Sequence, residues 1–347
     1  MLKNLNTEDI STDTSIVTSG IWQDGASSLT GFFSSSTQYT NTGDYNIDVY
    51  RYDPTNNASA SVQFGIVYGH RDGSGSLGLK GATGDRTTAA IFGQFNSLIN
   101  PPETTTFTFS DNTNAKQFYA IVLNRARMRE GIEAGGWELH LSSSAANSHV
   151  KLIDDSSTNN GGNNVNRNFL PEYNVVSGTL VGGTSIKTSA TGEDDTMGSY
   201  GTFYPKLGII LLNPERLSGA PLKLVTASGS NADNRNNRLL FNCIADGGTD
   251  PGGQYFQMKR KEEITSKHYF VRATSQNFNA TTNQTFYTES ITGVKQIIPG
   301  LRTNPKTYIT SVGLYNNADE LLAIAKLSKP ILKSSSREAL IKVKLDF

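Results

Sequence analysis

One cysteine, Cys243, stands alone among 347 residues. No internal disulfide can form, so stability does not depend on an oxidising compartment, and assembly in a reducing cytoplasm is expected. Net charge is also missing, with 31 Lys and Arg against 31 Asp and Glu. No overall field draws the chain to nucleic acid or to an anionic membrane, and neither is expected as a partner. Long apolar runs are absent. Residues 1–15 are polar (Asn4, Asn6, Thr7, Glu8, Asp9, Asp13) and hold neither the apolar centre of a signal peptide nor the roughly 20 apolar residues that span a bilayer. Secretion by the general route and membrane insertion are therefore not expected. The four histidines, His70, His140, His149 and His268, include no pair spaced as in the H-E-x-x-H zinc motif. No G-x-S-x-G nucleophile elbow occurs either. These patterns assign no catalytic, cofactor-binding or metal-ligating residue.

What the chain does have is glycine, 33 residues of it, against an apolar fraction of 36%. That mixture is common in β-rich chains with many turns and extensive contacts between subunits. The length exceeds what one core usually fills, so two domains, or one long β domain with insertions, are expected. Residues 1–30, where Thr, Ser and Asp surround only Ile16-Val17 and Ile21-Trp22, read as an extended N-terminal arm that orders on a neighbour. Residues 31–145 read as a β domain. In it Tyr45, Ile47 and Val49 alternate with Asn46, Asp48 and Tyr50; Val62, Phe64 and Ile66 share a face; and Trp137, Leu139 and Leu141 oppose Glu138 and His140. One helix near 86–99 is expected, capped by Asp85, with Ile91, Phe95, Leu98 and Ile99 at helical spacing and Pro101-Pro102 as its stop.

Residues 146–172, rich in Asn, Ser and Gly, read as a polar linker or loop and place a domain boundary there. Residues 173–347 read as a second β domain that ends in a C-terminal strand set, 305–347. Its earlier strands fall at Tyr173–Val181 and residues 185–189, 204–212 and 256–271, and residues 222–227 and 238–244 are expected to pair across a polar loop. The fold class is mainly β: one or two antiparallel β-sandwich-like domains with few short helices.

Several stretches suggest chemistry and read more simply as surface. Gly69 to Ser76 is a Gly-rich loop after a strand, but no Lys-Ser/Thr follows at P-loop spacing, so a flexible loop is the reading rather than a phosphate cradle. Asp246 to Gly253 and Glu193-Asp194-Asp195 are rich in oxygen ligands but lack EF-hand spacing, and they read as solvated turns. Arg125, Arg127 and Arg129 are bracketed by Glu130 and Glu133, which suits a solvated turn or an intersubunit ion pair. Lys259-Arg260-Lys261 reads as the basic exposed side of a strand, with an acidic neighbour as its partner. Cys243, among Leu239, Leu240, Phe241 and Ile244, reads as a buried inert thiol in a strand. Carboxylates paired only by folding, as in glycoside cleavage, stay open on sequence alone.

The strongest pattern lies at the C-terminus. Tyr308, Thr310, Val312 and Leu314 alternate with Ile309, Ser311 and Gly313, and Asn316 to Asp319 supply turn residues. Residues 320–327 are apolar on both faces, as for a strand covered on both sides, and Pro330 is expected to end pairing. Ala339, Ile341, Val343, Leu345 and Phe347 then oppose Lys342, Lys344 and Asp346, which implies an end clamped into a sheet.

The segment Tyr308-Ile-Thr-Ser-Val-Gly-Leu-Tyr315, followed by Leu321-Leu-Ala-Ile-Ala-Lys-Leu-Ser-Lys-Pro330 and the closing strand, resembles the terminal block of virion structural proteins of tailed bacteriophages. Asp48-Val-Tyr-Arg-Tyr-Asp53, Val62-Gln-Phe-Gly-Ile-Val-Tyr-Gly-His70 and Gly135-Gly-Trp-Glu-Leu-His-Leu141 are similar to segments of structural proteins from contractile-tailed phages of aquatic bacteria. The resemblance implies a non-enzymatic, multi-copy or homo-oligomeric component of a phage tail, in the baseplate or fibre-attachment region, partnered by other virion tail and baseplate proteins. It implies assembly in the host cytoplasm and residence in the virion, and it carries no catalytic residue across. Two alternatives stand beside it. One is a structural place in the neck or on the capsid surface. The other is a glycan-binding tail protein, with Tyr204, Tyr255 or Tyr269 clustered in a groove, or a depolymerase, whose favoured β-helix would need a short rung repeat that the sequence lacks.

Overall fold

The computed structural model describes residues 4–34, 46–75, 86–110, 112–143, 148–157, 171–181, 184–187, 199–227, 235–246 and 256–347. The chain is mainly β, its strand pairings antiparallel and its helices few. It forms two compact units, one of residues 17–262 and one of residues 1–16 with 263–347. Two strands, β1 (Ile10–Gly20) and, much later, Phe256–Ala273, pair with each other and pass from one unit into the other.

The unit of residues 17–262 is built on one long sheet. The strands of the unit are β2 (Ser28–Leu29), β3 (Phe33–Ser34), β4 (Ile47–Tyr50), β5 (Val62–His70), β6 (Phe107–Phe109) and β7 (Asn112–Ala115), which form a separate small hairpin, then β8 (Gln117–Leu123), β9 (Gly131–Ser143), β10 (Ser148–Asp154), β11 (Tyr173–Val181), β12 (Thr184–Lys187), β13 (Gly201–Tyr204), β14 (Ile209–Leu212) and the start of β15 (Phe256–Ala273). Helices α1 (Thr87–Ile99), α2 (Arg125–Met128), α3 (Pro214–Ser218) and α4 (Arg235–Asp246) interrupt them. The sheet order through this unit is β15-β9-β10-β11-β13-β14-β8-β5-β4-β3.

Period-two alternation sorts the side chains of this sheet into two cores. Tyr119, Ile121 and Leu123 of β8 and Ile210 and Leu212 of β14 face one cluster; Phe118 and Ala120 of β8 and Ile209 and Leu211 of β14 face the other. These central strands are covered on both sides, which is why β8 and β14 read as continuous apolar runs. The larger core is filled by Leu240, Phe241 and Ile244 of α4, with Phe64, Trp137, Leu139 and Phe256 around them. Phe64 on β5 and Phe256 on β15 lie far apart in strand order, yet their ring centroids are 5.6 Å apart. The sheet therefore curls around α4. The smaller core packs Phe92 and Ile99 of α1, with Phe107 and Phe109, onto the outer face.

Three expectations change here. Residues 1–30 are not an arm. Ile21, Trp22 and Leu29 lie in the main core, and β1 pairs along β15. An edge strand whose side chains face solvent needs almost no apolar residues, because its backbone bonds hold it, so its polar sequence resembles a disordered one. The boundary at 146–172 also falls elsewhere: β10 pairs with β9 (Val150↔Leu141, Leu152↔Leu139) and with β11 (Leu152↔Ser177) inside the sheet. A polar stretch marks a loop, and only the contacts on either side decide whether it is a boundary. Finally, residues 238–244 are helical, not a strand. Leu240 and Ile244 stand four apart, a spacing that buries one helical face, and a short apolar run fits either period. The 222–227 segment is held to this helix by the Asn236 carboxamide, which accepts from the Ala227 N–H (2.8 Å) and donates to the Ala227 carbonyl (3.0 Å).

The expected helix near 86–99 is α1, but its buried positions are Thr88, Phe92 and Ile99 while Leu98 faces solvent. Arg86 occupies its N-cap without a side-chain bond, and Asp85 lies outside the described residues.

The second unit contains the rest of β15, the small hairpin β16 (Tyr287–Glu289) and β17 (Lys295–Ile297), α5 (Pro299–Thr303), β18 (Lys306–Tyr315), β19 (Leu321–Ser334) and β20 (Ala339–Asp346). Strand β20 pairs with β15 from Ser266↔Asp346 to Ala273↔Ala339, and the Phe347 N–H donates to the Thr265 carbonyl (3.0 Å). Ile341 and Val343 are buried and Leu340 is exposed, as the alternation requires. The apolar core of this unit is small, and polar ties do much of the holding. Arg272 donates twice to Asp9 Oδ1 (2.6 and 2.9 Å), and the fully buried Lys333 ammonium donates to Ser275 O, Asn279 Oδ1 and Ser334 O (2.9–3.0 Å).

Candidate assembly surface

β18 and β19 form a two-stranded sheet of their own, and β20 joins β15 rather than this hairpin. The hairpin is long and firmly turned. Asn316 Oδ1 accepts from the Ala318 and Glu320 N–H groups (2.9 Å each), Asn316 Nδ2 donates to Glu320 Oε2 (2.7 Å), and Asp319 takes the positive φ of 59° that the turn needs. Pairing runs from Tyr315↔Leu321 through Gly313↔Ile324 to Ser311↔Lys326 and resumes at Ile309↔Ile331. Pro330 lies in the shift between them, so it makes a bulge rather than ending the strand.

Burial is where this hairpin departs from expectation. Residues 320–327, apolar on both sides, are not covered on both sides. Leu321, Leu322 and Ile324 are 52%, 68% and 60% exposed, and Tyr308 and Tyr315 are 64% and 46% exposed. Ile324 and Leu322 share a face with Gly313, and the Tyr315 ring and Leu321 methyl lean over Gly313, where a Cβ would lie 3.0 and 3.2 Å from them. On the opposite face Val312 pairs with Ala325 and Leu314 with Ala323, all half-buried. A two-stranded ribbon is at best marginally stable alone in water, and a contiguous exposed apolar face on one marks a contact surface. Its charges are segregated: Asp319 and Glu320 sit at the turn, Lys306, Lys326 and Lys329 toward the base.

The chemistry-bearing residues singled out from the sequence do not converge. His70 lies in a turn, its Nδ1 accepting from the Asp72 N–H (3.1 Å), and burial lowers its pKa. His149 is exposed on β10, and His268 is half-buried on β15. Among the described residues no group of three His, Cys, Asp or Glu could hold a metal. Cys243 is buried, in α4 rather than in a strand. Glu193 to Asp195, residues 247–253, Asn159 to Asn164 and Tyr255 lie outside the described residues. Tyr204 is buried in the smaller core and Tyr269 is half-buried, so these two form no exposed aromatic groove. The basic stretches find partners within the chain: Arg129 bonds both Glu262 oxygens (3.0 and 3.1 Å), Arg260 Nε lies 2.8 Å from Glu262, and Arg127 donates to Ser61 Oγ (2.6 Å).

Two buried carboxylates are structural ties that no motif announces. Glu138 Oε1 lies 2.5 Å from His140 Nε2, and Glu138 Oε2 accepts from the Leu180 N–H. Burial pushes the Glu138 pKa up, but these hydrogen bonds together hold it below the usual range. Asp154 accepts from the N–H groups of Ser156 (3.0 Å) and of Gly135 (2.8 and 3.0 Å), the latter in a bulge of β9 at positive φ. Burial first, and the charge of Asp155 second, raise the Asp154 pKa despite those bonds. No protein-family model, curated protein or solved structure matches this chain.

Proposed function

We propose that this chain is a structural component of a bacteriophage tail, in the baseplate or fibre-attachment region, and that it works by protein–protein assembly rather than catalysis. The observation that carries the reading is the β18–β19 hairpin, whose residues are the ones that resemble the terminal block of tailed-phage virion proteins. A chain that works alone gains nothing from leaving Leu321, Leu322, Ile324, Tyr308 and Tyr315 in water. In a multi-copy particle the same face is covered by a neighbour, and many such contacts add through effective concentration. Immunogold electron microscopy of purified particles from the source lysate, with an antibody to this chain, tests the reading. Label at the distal tail end is expected. Label at the neck or capsid would move the chain within the particle, and absence of label would overturn the virion assignment.

A further inference from the structure

We propose that the β18–β19 hairpin is a twofold self-association site. Two copies of this chain lay the Gly313–Ile324 faces of their hairpins against each other in antiparallel fashion. The acidic turn of each copy then meets Lys329 of the other. This inference rests on the assembly reading and names the occupant of its surface.

Three observations select a second copy. The first is charge. A twofold axis through the Gly313↔Ile324 pair carries Asp319 of one hairpin, five residues before Ile324, to about the level of Lys329, five residues after it, of the other. It carries Glu320 to the level of Ser328, beside Lys329. Among the described residues none of Asp319, Glu320 and Lys329 has an ion-pair partner within the chain. One hairpin thus presents both halves of a complementary pattern, which is what an isologous contact requires. The second is area. Five large apolar side chains, each about half to two-thirds exposed, offer roughly 500 Å² per copy if each has about 150–200 Å² to bury. A standard interface takes about 800 Å² per partner, a little over half of it apolar, so the patch supplies about the amount a stable dimer uses. The third is the guarded edge. Lys326, Lys329 and Pro330 on β19 blunt strand addition along that edge, which favours contact through the face over pairing there.

The test uses the full chain in analytical ultracentrifugation, with exposed substitutions that leave the fold intact. The unaltered chain is expected to dimerise. Lys329→Glu alone and Glu320→Lys alone should each weaken the dimer at least tenfold, and the two together should restore it, because the swap re-forms the pair with reversed sign. Ile324→Cys, next to the axis, should give a disulfide-linked dimer on oxidation, since it meets its own counterpart. Ile291→Cys, more exposed still on the β16–β17 hairpin, should not. A monomer at every concentration, or a dimer indifferent to Lys329→Glu, Glu320→Lys and Ile324→Cys, overturns the proposal. Either result leaves the assembly reading to be decided by particle labelling, so the two fail separately.

Discussion

Replacing Trp22 with alanine should cost unit 17–262 about 3–5 kcal/mol, the usual range for removing a buried tryptophan. The indole is 1% exposed, and its centroid lies 5.1 Å from that of Phe256 and 5.9 Å from that of Phe64. Its Nε1–H is shared between the Ser27 carbonyl (3.0 Å) and the Phe256 carbonyl (3.1 Å). Trp22→Phe separates the two contributions. It keeps most of the apolar contact and removes the donor, so it should cost about 1–3 kcal/mol, the desolvation of carbonyls left short of a partner. Only two tryptophans occur, so in either variant fluorescence reports Trp137, which is fully buried in the same unit. With a urea slope of about 3 kcal/mol per M, a loss of about 4 kcal/mol moves the midpoint down by roughly 1.3 M. A shift under about 0.3 M for Trp22→Ala would mean that residues 20–30 contribute nothing to this core, and the arm reading of the N-terminus would stand again.

Three further perturbations test the polar ties. Lys333→Met preserves volume but strands three acceptors, so it should cost about 1–3 kcal/mol and release hydrogen-exchange protection around residues 275–279; unchanged exchange there would refute the tie. The other two have opposite pH signs. Glu138 has a lowered folded-state pKa, so its contribution is present above the ordinary value of about 4 and is lost as pH falls through the folded value. Glu138→Gln should therefore destabilise at pH 7 and converge with the unaltered chain in acid; a gap independent of pH would refute the charge-assisted bond. Asp154 has a raised folded-state pKa, so its contribution is full below about 4 and is lost as pH rises through the folded value. Asp154→Asn, which retains an acceptor for Gly135, should flatten that alkaline-going loss in denaturation midpoints between pH 3 and 7, within roughly that span; an unchanged slope would assign it elsewhere.

How much of this was legible in the residues depended on which force set each element. Strands whose two faces meet different surroundings wrote themselves plainly: β20, with Ile341 and Val343 in and Lys342 and Lys344 out, needed only period two. The helix α4 was misread because Leu239-Leu240-Phe241 and Cys243-Ile244 satisfy a strand as well as a helix, and tertiary packing against β5 and β9 settled the matter. The N-terminal strand β1 was invisible because its stability comes from backbone pairing, to which side-chain composition is silent. Glu138 and His140 stand two apart on one strand face, but the ties of Glu138 to Leu180, of Asp154 to Gly135 and of Lys333 to Ser275 and Asn279 join residues far apart in the chain, so no local spacing announces them.

The hairpin is a different kind of miss, and the more informative one. Its composition reads as that of a strand covered on both faces, yet Leu322 and Ile324 stand in water. The two statements are compatible if the pattern records the burial of the working assembly while a single chain supplies only part of it. Sequence patterning reports where apolar area ends up in the functional state, whichever chain provides the cover. On the proposed assembly, a residue run that promises a core and finds solvent marks the face that a neighbour would cover. On the same logic the ion pairs of Arg129 and Arg260 with Glu262 give these two arginines partners within the chain. Exposed polar groups with internal partners gain little from a contact, whereas exposed apolar groups without cover gain the most, so binding energy should concentrate on β18–β19.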